Sequence, residues 1–439
     1  MKRRPQIPTE FTDDISIVRN TNFNRLWSAQ ILSQIAQNLL NFALIIRVFQ
    51  LAQGTRFANV SVALLILSFG IQSIFFAAAA GVYVDHWNKK IVLVIVNFLR
   101  AFLVLGYLAF EHDLFMVLLL SFVISSATQF FTPAEAASIP ALVSKGQLQR
   151  ANALFVFTMY ASFIVGYSAS APVIAAFGGV GPYVLTSVMF GFAGILVSLL
   201  PSIRVKQSQV MPFRRIVRFT FHEIIANWRL IRGNHNLSFP ITQLTITQSI
   251  LGVILALAPA LSIAILGIPI QHASHYLIFP AGIGMILGVV LIDRLTISFT
   301  RTRLIAVGLI VAAFALVLLG LSTRLHGSHG GPEFIKHYQI GLLVAPLVFI
   351  LGFMNAVVSV AAQTVLQEHT DESSRGKVFG ALGMMVNIAS TLPIFFAGIL
   401  ADLTNVQSVI TALGILLLIF ATSQYMHLRK TGKLGNIPA

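Results

Sequence analysis

Uninterrupted apolar stretches recur along almost the whole chain, and each is close to the ~20 residues that an α-helix needs to cross a bilayer. Of the 439 residues, 56% are hydrophobic and 10% are charged, whereas a soluble protein carries about 25% charged residues. The stretches leave no room for a soluble domain. The sequence therefore predicts an all-α polytopic membrane protein with twelve transmembrane helices, called spans 1 to 12 in chain order.

The positive charge of the chain is concentrated on one side of the predicted membrane spans. The net charge is +15, but Lys and Arg concentrate in loops on one side of the predicted spans. The exceptions are Arg56, Arg324 and Lys336 on the other side, and Arg47 and Arg100 within spans. Short basic loops mark the cytoplasmic side of a membrane protein. We therefore expect both termini in the cytoplasm, a multi-pass location in the cell (inner) membrane, and no nucleic-acid partner.

The long polar segment near the middle of the chain divides it into two six-helix halves, residues 1–201 and 237–439. Residues 202–236 are basic, and Phe219 and Trp228 belong to a set of apolar residues at helical spacing. This pattern predicts a cytoplasmic linker with an amphipathic helix on the membrane surface, held near anionic lipid, rather than a regulatory site. Two six-helix repeats around a site at mid-membrane are typical of secondary transporters. We expect a monomer whose partners are membrane lipids and a small-molecule or lipid substrate.

A short polar turn, Gly81 to Lys90, joins spans 2 and 3. It resembles the loop after helix 2 of the major facilitator superfamily, whose pattern is Gly-x-x-x-Asp-basic-x-Gly-basic-basic. The matching residues are Gly81, Asp85, Lys89 and Lys90, while His86 replaces the first basic residue and Asn88 replaces the second glycine. The resemblance implies the major facilitator fold and a latch between the two halves on the cytoplasmic side.

The resemblance also implies partners for this latch. The acid, Asp85, would face the N-terminus of span 11, which opens at Arg375. Lys89 and Lys90 would pair with Glu135 near the inner end of span 4. These contacts would form the cytoplasmic gate and would break when that side opens.

Further blocks narrow the resemblance to a branch that contains macrolide-type drug exporters and siderophore exporters. They are residues 133–134, 139–143, 151–154, 375–380 and 397–402. In span 5, Ala171 precedes Pro172 where the antiporter pattern of the superfamily has glycine. The resemblance implies efflux by alternating access, as in an antiporter, with no enzymatic activity and no cofactor.

Two ionisable side chains lie within the predicted spans, where charge is costly and usually functional. Glu135 has three interpretations: a member of the gate, a proton carrier that couples transport to a proton gradient, or neither. Arg100 in span 3 either forms a buried ion pair with Glu135 or faces the cavity and attracts an anionic substrate. The structural pair is the preferred interpretation, since helix 3 is peripheral in the family that the chain resembles.

Polar amides form a stripe along span 1, where Gln30, Gln34, Asn38 and Asn41 are separated by steps of four, four and three residues. Such spacing places side chains on one helical face, and amides facing lipid would be costly. The predicted substrate cavity is completed by Gln243, Gln248, Asn355, Gln363 and Asn387. The alternative is hydrogen bonding between helices, which also uses Asn and Gln.

The sequence is compatible with two transport functions and disfavours a third, enzymatic one. The preferred one is a secondary transporter that exports a bulky amphipathic molecule, drug-like or siderophore-like, with proton coupling through Glu135 as one of its two forms. The alternative is a transporter of lysophospholipid or other lipid with the same fold. A polytopic membrane enzyme is disfavoured because the sequence shows no catalytic cluster, no metal-ligand spacing and no phosphate-binding glycine loop.

Overall fold

The computed structural model describes residue 17 and residues 19–203, 235–268, 274–326, 333–368 and 375–431. These residues form helices and short connections, with no β-strand among them. The prediction of an all-α polytopic protein with twelve spans is confirmed. Most of the predicted linker, residues 204–234, lies outside the described residues, so the division into residues 1–201, 202–236 and 237–439 stays a prediction.

The twelve spans follow one another along the chain, and the longest connection, residues 199–234, separates spans 6 and 7. Their bounds are Thr21–Ala52 for span 1, Ala58–Gly70 and Gln72–His86 for span 2, Lys89–Phe110 for span 3, Leu114–Leu142 for span 4, Leu148–Phe177 for span 5, Gly181–Ser198 for span 6, His235–Leu261 for span 7, Phe279–Ser298 for span 8, Arg301–His326 for span 9, Glu333–Glu368 for span 10, Arg375–Leu403 for span 11 and Val406–Lys430 for span 12. Ten helices among the described residues are long and apolar enough to cross a membrane. The side of the bundle where span 1 begins and span 12 ends is called the terminal face, and the opposite side the far face.

Side-chain caps fix where several spans begin. Asn20 Oδ1 accepts from the backbone N–H groups at the start of span 1, and Asp113 Oδ1 does the same for span 4, from Phe115 at 2.9 Å. Asn405 accepts from Ser408 N at 2.7 Å at the start of span 12. These oxygens satisfy N–H groups that have no partner within their own helix.

Span 2 departs from the continuous helix that its hydropathy predicts. It divides at Ile71 into two helical segments. On either side of the division, Ser73 Oγ donates to Gly70 O at 2.7 Å and Gln72 Nε2 donates to Phe69 O. Side chains that hydrogen-bond to backbone carbonyls compete with the helical pattern and commonly bend a helix.

The spans pack mainly within each sequence half. Span 1 packs against spans 5 and 6, span 9 against span 12, and span 8 against span 10. Between the halves, span 11 packs along the first segment of span 2, which lies toward the far face, and barely touches the second segment. Spans 5 and 8 also meet across the halves. The two halves are therefore joined more closely toward the far face than toward the terminal face.

Candidate transport site

A cavity of about 300 Å³ lies between the two halves. Its polar lining side chains come from spans 1, 5, 7 and 10 and are Gln34, Asn38, Tyr160, Gln248, Asn355, Ser359 and Gln363. Its apolar lining consists of Met159, Phe163, Leu251, Met285 and Ala356. The lining contains hydrogen-bonding amides beside aromatic and thioether surface, and its described residues include no Asp, Glu, Lys, Arg or His.

The cavity extends from the middle of the bundle toward the terminal face. At ~1.5 Å of rise per residue, Gln34 lies about 20 Å along span 1 from its start. By the same measure, Gln363 lies about 8 Å from the end of span 10 at Glu368. Toward the far face the halves are in close contact. A Cβ added at Gly398 in span 11 would lie 2.9 Å from both Ala63 Cβ and Asn59 O in span 2. The described part of the bundle is therefore closed at the far face.

The structure brings together five of the amides that the sequence assigns to the substrate cavity: Gln34, Asn38, Gln248, Asn355 and Gln363. Asn355 Nδ2 also donates to Thr247 O at 3.0 Å, which joins spans 10 and 7. Tyr160 and Phe163 in span 5 were missed by the sequence reasoning. Their signal is weak because a single aromatic residue in an apolar helix is indistinguishable from ordinary packing.

Other amides from the predicted set lie outside the cavity lining. Gln30 is buried and its Nε2 donates to Phe155 O at 3.2 Å. Asn41 Oδ1 accepts from Gln37 Nε2 at 2.8 Å. Gln243 is fully buried, and neither atom of its amide finds a hydrogen-bond partner among the described residues. The contact of Gln30 with span 5 fits hydrogen bonding between helices, whereas Gln243 makes no such contact among the described residues. The side chain of Asn387 lies outside the described residues.

Arg100 is enclosed within the N-terminal half and is not part of the cavity lining. Its side chain is 1% exposed, and its Nη2 donates to Asn97 Oδ1 at 2.7 Å. Its guanidinium lies between two rings, 4.5 Å from the centroid of Phe131 and 4.4 Å from that of Phe190. These contacts replace part of the hydration that a buried cation loses.

Glu135, 7% exposed in span 4, interacts electrostatically with Arg100. Its Oε1 accepts no hydrogen bond among the described residues. The two opposite charges are both buried and interact through electrostatics. Ser33 Oγ donates at 2.8 Å to Asn97 Oδ1, the atom that also accepts from Arg100. Whether Glu135 acts in the gate or in proton coupling stays a prediction.

The predicted gate is described only in part. Gly81 is half-buried near the end of span 2, and Lys90 is half-buried at the start of span 3. Lys89 is fully buried, and its Nζ donates to Trp87 O at 3.2 Å. The side chains of Asp85 and Arg375 lie outside the described residues, so their contact stays a prediction.

Asn88, which replaces a glycine of the family pattern, is the junction of this region. Its Oδ1 accepts from Lys90 N and from Ile203 N, each at 3.2 Å, and its Nδ2 donates to Ser202 Oγ at 2.8 Å. Lys89 N adds a hydrogen bond to Ile203 O at 3.0 Å. The turn after span 2 is thus fastened to the segment that follows span 6.

Comparison with known proteins agrees with this architecture. A family model described as Major Facilitator Superfamily matches residues 26–331. The chain belongs to the Major Facilitator Superfamily. It is 23% identical over 393 residues to the uncharacterized MFS-type transporter YfiS of Bacillus subtilis (strain 168), covering 88% of this chain and 89% of the relative. The chain is accordingly a multi-pass membrane transporter.

Solved structures of the superfamily share the fold. The nucleoside transporter NupG superposes with a TM-score of 0.69 at 14% identity, covering 92% of this chain and 98% of that one. A bacterial homologue of the human lysosomal transporter Spinster, solved in an inward-facing and unoccupied conformation, gives 0.69 at 13% identity, covering 95% and 99%. At these identities the likeness concerns the fold and not the substrate.

Proposed function

We propose that the chain exports an uncharged, bulky amphipathic small molecule, drug-like or siderophore-like, by alternating access. The observation that carries this proposal is the mixed lining of the cavity between the halves. Its amides would hydrogen-bond to polar groups of the substrate, while Phe163, Met159 and Met285 would contact its apolar part. Moving a charged substrate into such a lining would be costly, since no opposite charge in the described lining offsets the lost hydration.

Direction and sidedness are further parts of the proposal. The basic loops support a cytoplasmic terminal face, so the closed far face and the cavity near the terminal face correspond to an inward-facing state. Export, rather than uptake, is supported by the resemblance of residues 133–143 and 375–380 to drug and siderophore exporters. Alternating access then carries the loaded substrate outward as the far face opens and the terminal face closes.

Coupling to a proton gradient would involve Glu135. Among the described residues, Glu135 is the one acidic residue that is buried. One oxygen of its carboxylate has no hydrogen-bond partner there, so the group is able to hold or release a proton. Since Glu135 lies outside the cavity lining, protonation would act by changing the packing of span 4 against span 3 and not by direct contact with the substrate.

The test uses purified protein in proteoliposomes with an imposed pH gradient and a panel of fluorescent amphipathic compounds. Gln34→Leu removes a cavity amide without shortening the side chain greatly. A single lost hydrogen bond of about 0.5–1.5 kcal/mol corresponds to roughly a 2- to 12-fold weaker substrate affinity. Gln50→Leu is the matched control, because Gln50 lies on the same span, half-buried and outside the cavity lining.

The expected result is a changed substrate profile for Gln34→Leu and Asn38→Ala, and a wild-type profile for Gln50→Leu. If the cavity variants only reduce the amount of folded protein, the stripe serves packing and the proposed cavity is wrong. Movement of a labelled lysophospholipid between leaflets, insensitive to the pH gradient, would favour the lipid-transporter alternative.

A further inference from the structure

The far face contains a direct polar connection between the two halves. Asp402, at the end of span 11, accepts three hydrogen bonds from the start of span 2. Its Oδ1 accepts from Asn59 N at 3.0 Å and from Asn59 Nδ2 at 2.7 Å, and its Oδ2 accepts from Val60 N at 2.8 Å. We call these three contacts the far-face clamp.

The clamp occupies the place of a helix cap. The first segment of span 2 begins at Ala58, and the preceding residue, Phe57, makes no side-chain capping hydrogen bond. The N–H groups of Asn59 and Val60 are among those that lack a partner within their own helix, and a cap residue normally serves such groups. A residue of the opposite half supplies the missing cap, and its negative charge is favourable at a helix N-terminus.

The geometry requires a carboxylate. Both oxygens accept hydrogen bonds, and every partner is a donor. An amide at residue 402 would keep only one acceptor oxygen and would place its own N–H donors against the N–H of Val60 or Asn59. Because Asn59 is 7% exposed, water has little access to replace the lost hydrogen bonds. Asp402→Asn therefore breaks most of the clamp while preserving side-chain shape.

We propose that Asp402 is a positioning residue of the transport cycle: it holds the far face closed by capping span 2 from the opposite half, and it releases this cap when the far face opens. This inference rests on the alternating-access cycle proposed above. Close packing at Gly398, one turn before Asp402, brings the backbones of spans 11 and 2 together and allows the short aspartate side chain to reach.

The clamp has a counterpart in the predicted latch at the terminal face. There, Asp85 near the end of span 2 is predicted to face the N-terminus of span 11. At the far face, Asp402 at the end of span 11 caps the N-terminus of span 2. The same two spans would thus exchange caps, one at each face. The two contacts would stabilise opposite states of the transporter.

The test measures the state of the far face without any substrate. Cysteines introduced at Gly179 and Ala264, exposed positions near the far face in the two halves, carry spin labels, and the natural chain contains no cysteine. Loss of a helix cap corresponds to roughly a 2- to 30-fold change in an equilibrium constant. Asp402→Asn is expected to lower the ratio of short to long label distances by that factor.

Asp113→Asn is the matched control. Asp113 also caps a span at the far face, accepting from Phe115 N at 2.9 Å and Met116 N at 3.2 Å, but all of its capping contacts lie within span 4. Its replacement should leave the distance distribution unchanged. The inference is wrong if Asp402→Asn gives the same distances as Asp113→Asn.

A second variant separates folding from gating. Phe57→Asp gives span 2 a cap of its own, and in the double variant with Asp402→Asn it should restore folded protein while the far face stays shifted toward open. If the double variant recovers the wild-type distances, Asp402 serves only as a folding cap and the inference is overturned. Because these distances need no substrate, failure to find a transported compound would contradict the proposed function and leave this test intact.

Discussion

Replacing Arg100 by methionine tests whether this buried cation has a structural role in the N-terminal half. Methionine keeps the length and flexibility of the side chain but removes the charge and the donors. In the structure, Arg100 donates to Asn97 at 2.7 Å and lies between the rings of Phe131 and Phe190. It also interacts with Glu135, whose Oε1 has no hydrogen-bond partner among the described residues.

The magnitude follows from these contacts and from what is left behind. A hydrogen bond to a charged group contributes about 1.5–3 kcal/mol, and each desolvated cation–π contact about 2 kcal/mol. The desolvation of the guanidinium opposes them with several kcal/mol, so the contacts cannot simply be summed. Removing one member of a buried charge pair typically costs about 3–5 kcal/mol, because the other charge loses its partner. We expect Arg100→Met to lower the free energy of unfolding by this amount.

The double variant Arg100→Met/Glu135→Gln tests whether the unpaired charge of Glu135 causes the loss of stability. It removes both charges, so it should be more stable than Arg100→Met alone, with a coupling free energy of about 0.5–3 kcal/mol between the two sites. The assay is a denaturation curve of the purified protein in detergent, followed by tryptophan fluorescence.

Arg56→Met is the control, since Arg56 is exposed in the connection between spans 1 and 2, and its replacement should change stability by no more than about 0.5 kcal/mol. The structural argument is refuted if Arg100→Met unfolds like the wild type. Loss of transport of anionic compounds at unchanged stability would instead support a cavity-facing arginine.

Three further predictions concern topology, the latch and helix packing. Cysteines introduced at Ser208 and Ser328 should label from opposite sides of the membrane, and labelling of both from outside would contradict cytoplasmic termini. Asp85→Asn should slow transport and lengthen the distance between spin labels at the terminal-face ends of spans 4 and 10. An unchanged distance with normal transport would contradict the predicted latch. Gly166→Ala should destabilise the protein by about 1–3 kcal/mol, because a Cβ there would lie within 3 Å of the backbone of span 1. Gly191→Ala, with open space around it, should unfold like the wild type.

The amide stripe of span 1 shows how far helical periodicity predicts a site. At 100° per residue, Gln30 and Asn41 lie within about 20° of each other, whereas Gln34 and Asn38 are turned about 40° and 80° from Gln30. The stripe is thus wide enough to have two edges. One edge, Gln34 and Asn38, lines the cavity, while the other makes contacts within the N-terminal half. Helical periodicity predicts which face of span 1 carries the amides. The position of span 5 decides which edge of that face lines the cavity.

The twelve spans were predictable because hydrophobic length is a local property of the chain. The division of span 2 at Ile71 was not, since it is marked only by the hydrogen bonds of Gln72 and Ser73 to particular carbonyls, which the sequence does not specify. The clamp at Asp402 was also invisible to the sequence. Two of its three partners are backbone N–H groups, 343 and 342 residues away, and every non-proline residue carries such a group.

The asparagine in the turn after span 2 has a consequence for sequence variation among relatives. A comparison with the family pattern scores Asn88 as a mismatch, yet its side chain makes three hydrogen bonds that glycine could not make. Two of them end on Ser202 and Ile203, outside the pattern altogether. The residues at positions 88 and 202 should therefore covary among relatives. Relatives with asparagine at position 88 should carry a hydroxyl residue at position 202, and relatives with glycine at position 88 should vary at position 202.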